Sequence, residues 1–127
     1  MKAVQTSSAP AAIGPYSQAV VSGSLVFTSG QIPITVGTGE VKGSAIAEQT
    51  EQVIMNLAEV LKAANSGLDR VVKATCFLTD MDDFQEFNKV YETYFTGKPA
   101  RSTVAVRQLP RNALVEIEVV AEVQDEN

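Results

Sequence analysis

The chain has 127 residues, 45% of them apolar and 20% charged, which is the size and composition of one globular domain and not of a disordered segment. Its net charge of −5 disfavours nucleic acid as the main ligand, because phosphate neutralisation needs a basic face. Without a histidine there is no Ser-His-Asp triad, Cys-His pair or His-ligated zinc, and the single Cys76 excludes an intrachain disulfide and a CxxC motif. No apolar run reaches membrane-span length and the first residues carry no signal-peptide profile, so a soluble, cytoplasmic protein is expected.

In chain order, the first fifteen residues, closing on Ala9-Pro10-Ala11-Ala12-Ile13-Gly14-Pro15, read as an extended arm or loop. Tyr16–Val21 and Leu25–Ser29 are short apolar or β-branched runs around Ser22-Gly23-Ser24, the pattern of a β-hairpin. Gly30 and Pro33 end the second strand, and Gly37-Thr38-Gly39 marks another turn. Ile46, Val53, Ile54, Leu57, Val60, Leu61 and Ala64 recur at helical spacing, which predicts a helix over 44–64 stopped by Asn65-Ser66-Gly67.

Val71–Leu78 reads as a strand, and Asp80 as the N-cap leading into a second helix. That helix is expected to bury Phe84, Phe87, Tyr91, Tyr94 and Phe95 and to stop at Gly97-Lys98-Pro99. The last third reads as a second hairpin. Arg101, Thr103 and Ala105 alternate with Ser102, Val104 and Val106, and Leu109-Pro110-Arg111-Asn112 makes the connection. Beyond it Val115, Ile117, Val119, Ala121 and Val123 point inward and Glu116, Glu118 and Glu122 outward. The expected fold is therefore one α+β domain over 1–127, of order ββ-α-β-α-ββ, with two helices on one face of a mixed sheet.

Three places depart from a bland alternation. Between Glu92 and Glu116 no acidic residue occurs, while Lys98, Arg101, Arg107 and Arg111 all do. This stretch reads either as an anion pocket, in which a guanidinium grips a carboxylate or phosphate, or as a solvated strand end. Glu116 and Glu118 share one strand face, as base and helper or as the wet side of a half-exposed sheet. Asn88 lies on the aromatic stripe of the second helix, where its amide needs a structural bridge or lines a cleft. Ser29-Gly30 offers a weaker signal of close backbone approach to a ligand, and Cys76, mid-strand, reads as a small buried hydrophobe.

At these same residues the sequence resembles the RidA (YjgF, reactive-intermediate imine deaminase) family over essentially its whole length. The likeness runs through Ala9–Ala19, Ser29-Gly30-Gln31-Ile32-Pro33, Asn56-Leu57, Val72-Lys73 and Asn88 with Tyr91. It continues through Pro99-Ala100-Arg101-Ser102, Leu109-Pro110 and Val115-Glu116-Ile117-Glu118. The resemblance implies a fold similar to chorismate mutase and a homotrimer with clefts between subunits. It also implies hydrolysis of 2-imino acids such as 2-iminobutanoate and 2-iminopropanoate to 2-oxo acids and ammonia, without cofactor or metal. By the same resemblance Arg101 binds the substrate carboxylate, Glu116 positions the attacking water, and Tyr16, Ser29, Gly30 and Asn88 line the cleft. Many members carry cysteine where this chain has Thr103 and glutamate where it has Ala105. By the same resemblance, Thr103 removes thiol chemistry at that position and leaves substrate contact through its backbone open. The alternative is a trimer that senses 2-oxo acids and acts through a protein partner. Ribonuclease or translation-inhibitor and chaperone-like roles are also attributed to the family.

Overall fold

In the computed structural model, which describes residues 1–124, β-branched and aromatic runs pair into one six-stranded sheet. Its strands are β1 (Lys2–Val4), β2 (Ala19–Ser22), β3 (Leu25–Thr28), β4 (Val71–Leu78), β5 (Ala100–Ala105) and β6 (Val115–Glu122). Two helices, α1 (Ile46–Ala63) and α2 (Phe84–Tyr94), flank β4 in sequence. The spatial order is β1-β2-β3-β6-β4-β5, and only the β4–β5 pair is parallel.

The β2–β3 hairpin closes with Ser22 opposite Leu25 and Gly23 at φ +62°, the positive value a tight two-residue turn requires at its first position. α1 begins two residues later than Ser44, because Ser44 does not cap it. Glu48 reaches back instead, accepting from the backbone N–H groups of Ser44 (3.0 Å) and Ala45 (3.1 Å), and these bonds hold its carboxyl below the usual range. At the other end Asn65, not Gly67, takes the left-handed conformation (φ 59°), and the Ser66 N–H returns to the Leu61 carbonyl at 2.8 Å. Asp80 caps not α2 itself but the 3-10 turn Met81–Asp83 that leads into it, accepting from the Asp82 N–H at 2.9 Å, and Asp83 is the N-cap residue of α2.

The apolar stripe of α1 and the inward residues of β3, β4 and β6 form the core, with Val26, Val53, Ile54, Leu57, Leu61, Ala74, Cys76, Leu78, Val115 and Ile117 fully buried. Phe87 and Tyr91 of α2 and Phe95 just past its end join it, whereas Phe84 and Tyr94 are only half-buried. No helix among the described residues is long and apolar enough to cross a membrane.

Two expectations are corrected. The first residues are not all arm, since β1 pairs antiparallel with β2 at the sheet's edge. The last two strands do not form a hairpin. β4 runs between them, antiparallel to β6 and parallel to β5, so β5 is an edge strand reached by the crossover through α2. Alternation fixes which side of a strand is apolar, but it is the same whichever strand lies alongside.

The sheet face away from the helices is the other structural fact that bears on function. Phe27 and Val104 are 44% and 46% exposed there, and Thr75, Phe77, Glu116 and Val120 are half-buried among them. Val119 and Val120 place apolar side chains on the two faces of β6.

Candidate active site

Arg101 stands near the start of β5, paired with Ala74, whose side chain lies in the core beneath the helices. Alternation therefore sends the Arg101 side chain to the helix-bearing face, where α2 receives it. One guanidinium nitrogen donates to Asn88 Oδ1 at 2.7 Å. The guanidinium carbon lies 4.6 Å from the centre of the Tyr91 ring and 5.5 Å from that of Phe84. Asn88, Tyr91 and Phe84 fall on one side of α2 by the three- and four-residue spacing of a helix. The Asn88 amide is thus satisfied by the guanidinium and not by backbone. Two residues on, Thr103 pairs with Cys76, and its hydroxyl is buried with no hydrogen-bond partner among the described residues; the same holds for the Tyr91 hydroxyl.

The other basic residues do not gather at Arg101. Lys98 precedes β5 and Arg107 follows it, both exposed, and Arg111 donates to the Gly39 carbonyl at 3.2 Å. The anion site narrows to one half-buried guanidinium with Asn88 beside it.

Glu116 occupies the opposite face. It alternates with Val115 and Ile117, both fully buried beneath the helices, so its side chain points to the helix-free side together with Glu118. Burial raises its carboxyl above the ordinary value, and the neighbouring Glu118 charge adds to the effect. The Gly30 loop lies against it. Gln31 pairs with Ile117 through two backbone hydrogen bonds (2.9 and 3.2 Å), and a Cβ on Gly30 would collide with the Glu116 carboxylate. Glycine is required here for space, not for an unusual φ. Ser29 is tied back, its hydroxyl donating to the Ser17 carbonyl at 2.6 Å. Tyr16, half-exposed, lines a groove of ≈ 750 Å³ with Gly30, Gln31 and Arg111.

The residues singled out by sequence therefore form two groups. Arg101, Asn88 and Thr103 stand on the helix side at the β5 edge; Glu116, Ser29, Gly30 and Tyr16 belong to β6 and the loops beside it. Register sets their separation. Arg101 is level with Ala74, whereas Glu116 is level with Phe77 and Val104, three residues along and two strands across. That is about 10 Å in each direction, on opposite faces of the sheet. One chain does not bring Arg101 and Glu116 to one small ligand.

Sequence reading missed the buried amides that hold these loops. Gln18 accepts from the Thr6 N–H (2.7 Å) and donates to the carbonyls of Thr6 (3.0 Å) and Pro10 (2.8 Å), fixing the arm. Asn56 donates to the carbonyls of Ile32 (3.1 Å) and Ile34 (3.0 Å), tying the segment after Gly30 to α1. Their signal was a polar amide within an apolar stripe, the same signal that singled out Asn88. Cys76 is a buried thiol pushed up to about 12 by desolvation, as its neighbours in sequence led one to expect of a packing residue.

The fold is thus an α+β sheet with Arg101 held on an edge strand and Glu116 packed against the Gly30 loop. The sequence comparisons name it. The model of the family described as Endoribonuclease L-PSP matches residues 6–123. The chain belongs to this family, which is that of the YjgF and RidA proteins. It is 50% identical over 125 residues to AldR of Lactococcus lactis, named as a regulator, covering 98% of this chain and 99% of that one. It is 45% identical over 121 residues to the mouse protein named 2-iminobutanoate/2-iminopropanoate deaminase, covering 94% and 90% of the two chains. The crystal structure of E. coli TdcF with bound serine superposes with a TM-score of 0.92 at 39% identity, covering 98% of this chain and all of that one (100%).

Proposed function

We propose that this chain hydrolyses 2-imino acids of the 2-iminobutanoate and 2-iminopropanoate class to 2-oxo acids and ammonia, in clefts shared between neighbouring chains of a homotrimer. The observation that carries the proposal is the placement of Arg101 and Glu116 on opposite faces of one sheet. A second chain laid against the helix-free face supplies the missing partner, so that Arg101 with Asn88 comes from one chain and Glu116 with Gly30 from its neighbour. A head-to-tail contact of this kind closes into a ring and repeats the cleft at each interface. The exposed Phe27 and Val104 give that contact apolar area. Three chains is the number the family resemblance implies.

The chemistry needs no group beyond these. Arg101 grips the carboxylate with N–H groups that Asn88 leaves free, which fixes the imine carbon in place. With the imine nitrogen protonated, ionised Glu116 takes a proton from water as the oxygen adds to the iminium carbon, and the C=N electron pair moves to nitrogen, giving a neutral carbinolamine. The protonated Glu116 then gives that proton to the amine nitrogen. As the C=O forms and the C–N bond breaks, the hydroxyl proton passes back to the Glu116 carboxylate and on to the departing ammonia, and the 2-oxo acid leaves. Burial helps both halves, since a carboxyl raised toward neutral pH is a stronger base and is still a competent acid.

One observation favours a second reading: the relative at 50% identity is named as a regulator. Arg101 alone suffices to bind a 2-oxo acid, and a sensing trimer would use Glu116 only as a hydrogen-bonding group. The test is to generate the imino acid with a dehydratase and follow 2-oxo acid formation with and without this protein. Faster formation supports the enzyme; no acceleration together with calorimetric binding of 2-oxobutanoate supports the sensor. Light scattering giving one chain would remove the shared cleft.

A further inference from the structure

We propose that Tyr91 is a positioning residue for Arg101, its buried ring serving as the shelf that fixes the guanidinium plane for a carboxylate. This rests on the carboxylate-binding reading of Arg101 above.

A bidentate grip requires the guanidinium to hold one plane, because its paired N–H groups meet both carboxylate oxygens only in that orientation. The bond to Asn88 Oδ1 holds one nitrogen and leaves the fork free to swing about it. The Tyr91 ring removes that swing, with the guanidinium carbon 4.6 Å from its centre. The shelf is itself rigid. Tyr91 is 6% exposed, stacks on Phe95 at 4.3 Å with 17° between planes, and sits 5.7 Å from Phe87. Phe84, half-buried, offers a second and more distant ring at 5.5 Å. The Tyr91 hydroxyl takes no part, having no hydrogen-bond partner among the described residues. Desolvation pushes it up to about 12, so the ring carries no negative charge at neutral pH and acts through its face.

The ranking of variants follows. Tyr91→Phe keeps the face and holds the dissociation constant for 2-oxobutanoate within about twofold of wild type, whereas Tyr91→Leu removes the face and raises it about tenfold. Phe84→Leu raises it about threefold, consistent with the longer distance. In imine turnover the loss from Tyr91→Leu falls on KM with kcat little changed, because the carboxylate grip acts alike in substrate and transition state. The experiment is calorimetry with 2-oxobutanoate on the three variants, with thermal melting to confirm folding and initial rates on dehydratase-generated imine. A rise in the dissociation constant and in KM at unchanged kcat and unchanged melting is an effect that core packing alone would not produce. A melted-down but tight-binding Tyr91→Leu chain would overturn the proposal. If Tyr91→Leu fails to fold, Phe84→Leu decides: unchanged affinity refutes the shelf, and weakened affinity at unchanged melting supports it. A wild-type chain that binds 2-oxobutanoate without hydrolysing imines would defeat the enzyme reading while the affinities still judge Tyr91. No binding at all by wild type would defeat the clamp and the shelf together.

Discussion

Mixing two inactive variants tests the shared cleft most directly. Arg101→Ala removes the carboxylate clamp and keeps Glu116; Glu116→Gln keeps size and hydrogen bonding, removes the base, and keeps Arg101. Glu116→Gln is expected to lose about a hundredfold or more of imine hydrolysis, the usual range for losing a general base, and Arg101→Ala to lose it at subsaturating substrate through a raised KM. In the structure the two residues lie on opposite sheet faces, three residues along and two strands across, and on the proposed reading a working site draws one from each of two chains. When equal amounts of the variants assemble at random, an interface works if Arg101 comes from the Glu116→Gln chain and Glu116 from the Arg101→Ala chain. Each condition holds half the time, so co-expressed chains recover about a quarter of wild-type activity in a symmetric ring. The assay is the initial rate of 2-oxobutanoate formation from dehydratase-generated imine, on co-expressed chains at equal tag ratios. Activity no greater than the sum of the two parents would refute the two-chain site.

Further outcomes follow from the same geometry. Arg101→Lys should bind 2-oxobutanoate poorly by calorimetry, since an ammonium offers no planar fork; near-wild-type affinity would contradict the bidentate grip. Gly30→Ala should displace the Glu116 carboxylate and lower kcat while melting stays close to wild type, because the methyl meets a side chain end and not backbone. Glu116 binds its proton more tightly folded than unfolded. Its ionisation therefore costs stability as pH rises from its ordinary value of 4.5 through the raised folded value. Glu116→Gln should accordingly melt higher than wild type at pH 7, with the gap closing as pH falls below that window. Asn56→Leu leaves the Ile34 carbonyl unpaired and the Ile32 carbonyl with the Ile34 N–H as its partner, and should cost roughly 1–3 kcal/mol in denaturant unfolding. Cys76, buried with its thiol at about 12, should resist thiol reagents at pH 8 until the chain is unfolded.

The sequence determined by itself what repeats at short range. The period of Val53, Ile54, Leu57 and Leu61 made α1, the alternation of Val115 to Glu122 made β6, and Asp80 marked the turn into α2, because each pattern is set by local backbone geometry. The order of motifs from Ala9 to Glu118 likewise carried the family, and polar residues on apolar stripes marked Asn88 as one that needed a partner. Tertiary structure alone decided who that partner was, since Arg101 lies thirteen residues away on a different element. It decided too that β4 enters between β5 and β6, because strand alternation specifies a face and is indifferent to the neighbour. From that insertion follows the register that puts Arg101 and Glu116 on opposite sides of the sheet. Pairing is a long-range choice made by burial of the whole core, and no local pattern in the last third of the chain encodes it.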